Sequence, residues 1–286
     1  MRMNFTFRMA AALLLLLPLA CTSKGPTVDQ PAPAPAPKKQ TVAPAAAPAS
    51  FAVDSFHYDK VSHYKRVLIT VHLSVDAPVV KSACADNVNS WMDSQLPLNG
   101  KMPVTRQTAQ QIASSMFQNL KKEIKKQERE GADFNSEDSA YFEHDVSMKM
   151  VCANPRFVTY RCESYYDLNS YNHGDEGLEC VTFSVKDGKR WGWNLFTRKG
   201  KKKLTKLFKP GLKKYFGVKT DGELYEHLMG GLPLPETAPY LTDKGVGFIY
   251  QTYEIAPFCD GSPEFVVPFN KLKELLSPEA KELINR

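Results

Sequence analysis

The chain has 286 residues, with 37 Lys and Arg against 31 Asp and Glu, a formal net charge of +6. Two of the basic groups, Arg2 and Arg8, sit in a leader-like segment, and the excess left without them is too small to argue for nucleic acid. Residues 51–286 suffice for one large domain or two small ones and contain no long apolar run, so no second membrane segment is expected there.

The first 50 residues carry export and tethering signals. Arg2 and Arg8 precede an apolar core from Met9 to Leu19 that is shorter than the roughly 20 residues a spanning helix needs, so it reads as a cleaved signal. Leu17-Pro18-Leu19-Ala20-Cys21 resembles a lipobox, with Cys21 as the first mature residue and the lipid carrier. An ordinary cleaved signal with an incidental cysteine is the alternative, and Pro18 suits it badly because small residues are wanted one and three positions before the cut. Residues 22–50 include a Pro-Ala alternation from Pro31 to Pro37 and no aromatic residue. Such a segment buries too little apolar surface to fold, and it extends as polyproline II at about 3.1 Å per residue, a semi-rigid spacer.

In the remainder, Val67, Ile69, Val71, Leu73 and Val75 alternate with polar neighbours, which predicts a strand paired with 51–58. Helical spacing follows at Val80, Cys84, Val88 and Trp91/Met92, and again at Ala109, Ile112, Ala113, Met116, Leu120 and Ile124. Strand signals over 141–152, 156–168 and 178–186, joined by short turns, predict an antiparallel meander. Leu204 to Phe216 repeats at helical spacing with an interruption or kink expected at Pro210-Gly211. A short helix capped by Thr220-Asp221, strands at 246–251 and 264–267, a helix from Phe269 and another opened by Ser277-Pro278 complete the chain. The fold class is therefore α+β, with an antiparallel sheet meander packed with helices. Five cysteines follow Cys21, namely Cys84, Cys152, Cys162, Cys180 and Cys259. An oxidising envelope would let them form one or two disulfides, with Cys162–Cys180 favoured because it joins neighbouring strands.

Two segments resemble the RsiV-type domain family. In residues 244–276 the matching positions are Tyr253, Glu254, Ala256, Pro257, Gly261 and Pro268, in a strand, a turn of the form Tyr-Glu-x-Ala-Pro-Tyr-x-x-Gly and a second strand. In the centre, Tyr165 leads to a rearranged glycine and histidine turn at 171–177, then Asp187-Gly188-Lys189 and Leu195-Phe196. The likeness covers about 140–285 well and 51–130 more loosely. Following the signal at 1–20 and the tether at 21–50, it implies a smaller N-terminal α+β region at 51–135 and an RsiV-like domain at 136–286. The family includes an anti-sigma factor whose extracellular part binds lysozyme and a region ahead of a peptidoglycan deacetylase. Neither a segment for holding a sigma factor nor room for the deacetylase is expected here. The resemblance thus implies the binding part alone, facing the periplasm or exterior, with membrane contact through lipid and a lysozyme-like protein or peptidoglycan as partner.

The candidate ligand-binding residues are Trp191, Trp193, Tyr250, Tyr253, Glu254 and His173. Trp191 and Trp193 flank Gly192 and, on a strand, would share one face, either exposed to a glycan or buried. Tyr250, Tyr253 and Glu254 lie at the family turn, where exposed rings would serve sugar or protein contacts and buried ones would serve packing. His173, Asp175 and Glu176 form the one cluster suited to hydrolysis, which keeps a cell-wall hydrolase as the rival reading, with a structural envelope lipoprotein as another. Two adjacent acids on one turn do not make a ligand set, so neither a metal nor a cofactor is expected, and no catalytic residue is assigned. The run from Arg198 to Lys214 holds nine Lys and Arg and no acid, and reads as a solvated helix face or as a contact for anionic lipid or glycan.

Overall fold

The computed structural model describes residues 51–96, 103–132, 134, 141–168 and 173–284. The leader, Cys21 and the tether lie outside the described residues, as do Tyr171 and Asn172 of the central turn.

Strands β1 (Val53–Tyr64) and β2 (Val67–Pro78) form an antiparallel hairpin, with Val53 opposite Pro78 and Tyr64 opposite Val67. Alternation along β2 buries Val67, Ile69, Val71, Leu73 and Val75 and leaves Leu68, Thr70, His72 and Ser74 half-exposed on the other face. Helices α1 (Ala83–Gln95) and α2 (Ala109–Arg129) cover the buried face. The Ser82 hydroxyl accepts the Ala85 N–H at 3.1 Å and so caps α1, while α2 points Ile112, Met116, Leu120 and Ile124 inward at intervals of four.

Strand β3 (Tyr141–Ala153) then runs parallel to β2, with His72 opposite Asp145. Strands β4 (Phe157–Leu168), β5 (Asp175–Ser184) and β6 (Arg190–Trp191) follow in sequential antiparallel order, making one six-stranded sheet. The expected meander holds from β3 to β6. The step from β2 to β3 departs from it, because a two-helix crossover carries the chain back to the starting end of the strand. The boundary expected at 135/136 falls inside this crossover, and one hydrophobic cluster runs past it from Phe51 to Phe183.

Within that cluster Tyr160 is fully buried between Phe51 and Trp91, and its hydroxyl has no hydrogen-bond partner among the described residues. A buried hydroxyl without a partner costs stability that phenylalanine would not. Tyr160→Phe should therefore raise the unfolding free energy by about 1 kcal/mol in urea denaturation.

After β6 the chain turns at Trp193–Leu195 and builds α3 (Arg198–Lys201), a 3₁₀ turn at Leu204–Leu207, α4 (Lys209–Phe216) and α5 (Asp221–His227). Pro210 does not kink a long helix. It stands in the first turn of α4, where its missing N–H has no helical partner to lose. A reciprocal capping box between Thr220 and Glu223 starts α5. Strands β7 (Tyr240–Leu241), β8 (Gly245–Ile249) and β9 (Glu264–Pro268) form a second, antiparallel sheet, followed by α6 (Phe269–Leu272) and α7 (Pro278–Ile284). The expected Ser277 cap is present, its hydroxyl accepting the Ala280 N–H at 3.2 Å.

The second sheet docks on the β4–β5 end of the first sheet's outer face. The Thr159 hydroxyl donates to the Leu241 carbonyl at 2.8 Å, and the Thr182 hydroxyl oxygen accepts the Leu241 N–H at 2.8 Å. Gln251 meets both backbone groups of Leu178 with its amide and so completes the hydrogen bonding of β5 there. The outer face over β1, β2 and β3 carries part-exposed polar side chains instead. The fold is α+β, and among the described residues no helix is long and apolar enough to cross a membrane.

The favoured disulfide is not formed. Cys162 lies opposite Glu179, and Cys180 lies opposite Arg161. That one-residue offset sends the two thiols to opposite faces of the sheet, Cys162 into the first hydrophobic cluster and Cys180 towards Tyr240 and Ile249. The five cysteines of the described residues are unpaired, four of them buried and Cys259 exposed.

Candidate functional site

The loop that follows β8 divides the residues of the family turn by role. Tyr250 is fully buried, donates its hydroxyl to the Pro233 carbonyl at 2.6 Å, and has its phenol pushed up by burial. It is a core residue. Glu254 is a staple: its carboxylate accepts the Gln251 N–H at 2.8 Å and the Glu236 N–H at 2.7 Å, closing the turn on itself and on a neighbouring segment. Burial raises its pKa above the ordinary value against the pull of those two donors.

Tyr253 takes the opposite role. It is 54% exposed, and its backbone φ is 65°, in the left-handed region that a residue with a Cβ adopts at a cost of about 1 kcal/mol. Its hydroxyl lies 2.9 Å from Nε2 of His173. The His173 ring stacks on Phe258, with centroids 3.6 Å apart and planes at 12°, and Phe258 lies 5.8 Å from the Tyr253 ring. Nδ1 of His173 faces the Gly174 carbonyl at 3.0 Å, which can only accept, so Nδ1 carries a proton. In the neutral ring Nε2 then accepts from the Tyr253 hydroxyl. Gly174 has its own steric reason: a Cβ there would stand 2.7 Å from the Tyr165 ring.

Two expected site residues lie elsewhere. Trp191 is buried, whereas Trp193 begins the 3₁₀ turn after Gly192 and packs half-buried towards Phe248. Because β6 ends at Trp191, the two rings do not share an exposed strand face. Asp175 and Glu176 are exposed, and the hydrogen bonds of His173 go to Tyr253 and Gly174. His173, Tyr253 and Phe258 thus come together, with Glu254 as their brace. Phe258 is the member that the sequence does not single out, although it stands where the family turn has a tyrosine.

A second cluster lies on the open outer face of the first sheet. Asp59 on β1 is opposite His72 on β2, which is opposite Asp145 on β3, which is opposite Tyr165 on β4. Asp59 Oδ1 is 2.5 Å from His72 Nδ1, and Asp59 Oδ2 is 2.8 Å from His57 Nε2. The bond from His72 holds Asp59 below the ordinary carboxylate range. Burial draws the His72 pKa down, but Asp59, Asp145 and Glu143 together raise it above its usual value. Burial and Glu143 push Asp145 up to about 6. Next to the row, Asp167 is buried and accepts the hydroxyls of Tyr141 and Tyr165, each at 3.0 Å. Nothing in the sequence reveals this row, because its members come from four strands and meet only through their register.

Comparison with known proteins gives the fold without a function. No curated protein matches the chain. A crystal structure of a member of the DUF3298 family (BF2082) from Bacteroides fragilis NCTC 9343 is 17% identical, with a TM-score of 0.66 over 83% of this chain and 98% of that one. A crystal structure of a DUF3298 family protein (PA4972) from Pseudomonas aeruginosa PAO1 is 13% identical, with a TM-score of 0.54 over 80% of this chain and 96% of that one. Residues 194–270, which span the second sheet and the Tyr253 loop, match the family described as "Protein of unknown function (DUF3298)", the same domain family as the RsiV-type likeness.

Proposed function

We propose that the chain is a non-catalytic binding module of a cell envelope, lipid-anchored through Cys21, that engages a lysozyme-like protein or a peptidoglycan-related glycan through Tyr253, Phe258 and His173. The observation that carries this reading is the exposed Tyr253 ring in a left-handed backbone conformation. Strained backbone persists where the surroundings over-determine it, and such positions gather at binding and switch sites. Here Glu254 closes the turn, while His173 and Phe258 brace the ring. A ring fixed before binding loses little conformational entropy on contact, and tyrosine is enriched among residues that dominate interface energy.

His173 is engaged with an aromatic pair and a carbonyl, which favours recognition over hydrolysis through the 173–176 turn. The test is retention of lysozyme and of purified peptidoglycan by the full chain, compared with Tyr253→Gly and Phe258→Ala. Each variant is expected to bind at least about thirty-fold more weakly, the equivalent of a 2 kcal/mol hot spot. Tyr253→Gly should at the same time gain about 1 kcal/mol of stability, because glycine relieves the left-handed strain. Retention no better than that of an unrelated lipoprotein, or unchanged by both variants, would refute the binding role. Labelled palmitate should enter the wild type and not Cys21→Ser.

A further inference from the structure

On the outer face of β1, β2 and β3 a cluster of two imidazoles and three carboxylates, His57, Asp59, His72, Glu143 and Asp145, has no role in the aromatic loop. His72, Glu143 and Asp145, all half-buried, bring one ligand-type atom each to within 4.8 Å of one another, and His57, Asp59 and His72 do the same. The geometry points to a binding site for one divalent first-row transition-metal ion, ligated by His72, Glu143 and Asp145, with Asp59 as a positioning residue behind His72.

Four features support this assignment. First, Asp59 engages Nδ1 of His72 at 2.5 Å, which leaves Nε2 as the nitrogen available to an ion. A carboxylate bonded to the far nitrogen of a ligating histidine is the usual arrangement around protein-bound metals, fixing the tautomer and the ring orientation. His57 braces that carboxylate from the other side at 2.8 Å. Second, Oδ1 of Asp145 is closed off from solvent and has no donor among the described residues. A buried carboxylate oxygen without a partner is costly, and a cation removes that cost.

Third, Glu143 and Asp145 crowd one another, and no Lys or Arg ion pair with either is found among the described residues; Lys149 on the same face pairs with Asp76 instead. Fourth, the spacing suits a small ion. Zinc bonds nitrogen and oxygen at about 2.0–2.2 Å, which in a tetrahedron sets ligands about 3.4 Å apart. The three ligand-type atoms lie within 4.8 Å of one another on two hydrogen-bonded strands, and an ion bound between them would draw them together. One imidazole with two carboxylates suits zinc, manganese or iron, whereas a set that includes a nitrogen ligand is poor for magnesium and calcium. A fourth position would be left to water or to a ligand atom.

The experiment is calorimetric titration of the chelator-treated, tag-free full chain with Zn²⁺, with Co²⁺ absorption as an independent view of the ligand field. One equivalent is expected to bind and to raise the melting temperature. His72→Gln and Asp145→Asn should each weaken binding ten-fold or more, and Asp59→Asn by about ten-fold, the usual effect of losing an outer-shell partner. His63→Gln, near the end of β1, should change nothing. Each variant should still melt in one cooperative step without metal, which separates ligand loss from misfolding. No binding, binding unchanged in both His72→Gln and Asp145→Asn, or Mg²⁺ and Ca²⁺ competing on equal terms would each overturn the assignment.

Discussion

Glu264→Ala should lower the unfolding free energy by about 3 kcal/mol, the low end of the range for breaking a buried ion pair. Glu264 on β9 accepts two hydrogen bonds from Nη1 of Arg161 on β4, at 2.9 and 2.8 Å, and a third from the Tyr240 hydroxyl. Arg161 also donates from Nε to Glu163 at 2.7 Å. About a quarter of each side chain in the Arg161–Glu264 pair remains exposed, so solvent screens part of the attraction. Removing the carboxylate leaves a guanidinium with one outlying partner and a buried tyrosine hydroxyl with none. The penalty is mainly that of stranded polar groups. Arg161→Met combined with Glu264→Leu should therefore come within about 1 kcal/mol of the wild type, because replacing both members of such a pair by apolar groups is often neutral. Urea denaturation of the wild type, the two single variants and the double variant decides the matter. A loss below about 1 kcal/mol for Glu264→Ala would mean that the pair behaves as a surface salt bridge.

The pair also marks the boundary between local and long-range information in the sequence. Periodicity is local, so β2 was legible in Val67 to Val75, α2 in Ala109 to Ile124, and α7 in its Ser-Pro start. Contacts between distant strands are not local. Arg161 and Glu264 meet across two sheets, and nothing near either residue marks the other. Register hides in the same way: Cys162 and Cys180 do lie on neighbouring strands, yet a one-residue offset turns them to opposite faces. The same offset logic assembles Asp59, His72 and Asp145 into a row. The parallel pairing of β2 with β3 was missed because helices intervene, and hairpin reasoning applies only to short connections. A strand period puts Trp191 and Trp193 on one face, but β6 ends at Trp191 and a 3₁₀ turn begins at Trp193. Tyr253 was placed in the site by the turn around it. Its exposure follows from a positive φ, which a propensity argument assigns to glycine rather than tyrosine.

Phe248→Ala should be at least as damaging, at about 4 kcal/mol, because it empties the centre of the second hydrophobic cluster. Phe248 on β8 is 1% exposed and is ringed by Phe208 at 4.5 Å, Phe265 at 5.8 Å, Phe196 at 6.1 Å and Trp193 at 6.4 Å between centroids. Large aromatic truncations in cores cost about 3–5 kcal/mol, from lost transfer free energy together with the cavity that the surroundings fail to close. Four aromatic neighbours, Phe265 on β9 and Trp193, Phe196 and Phe208 from the segments around the 3₁₀ turns, would have to break their own packing to fill the space. Phe248→Leu should cost much less, about 1–2 kcal/mol, since it keeps most of the volume. The comparison bears on function because Tyr250, Tyr253 and Glu254 follow Phe248 within six residues, so a loosened β8 releases the loop that holds the Tyr253 ring. Phe248→Ala should lose stability and ligand retention together. Tyr253→Gly should lose retention while stability rises, and that opposite sign separates a ring that contacts the ligand from a ring that only supports the loop.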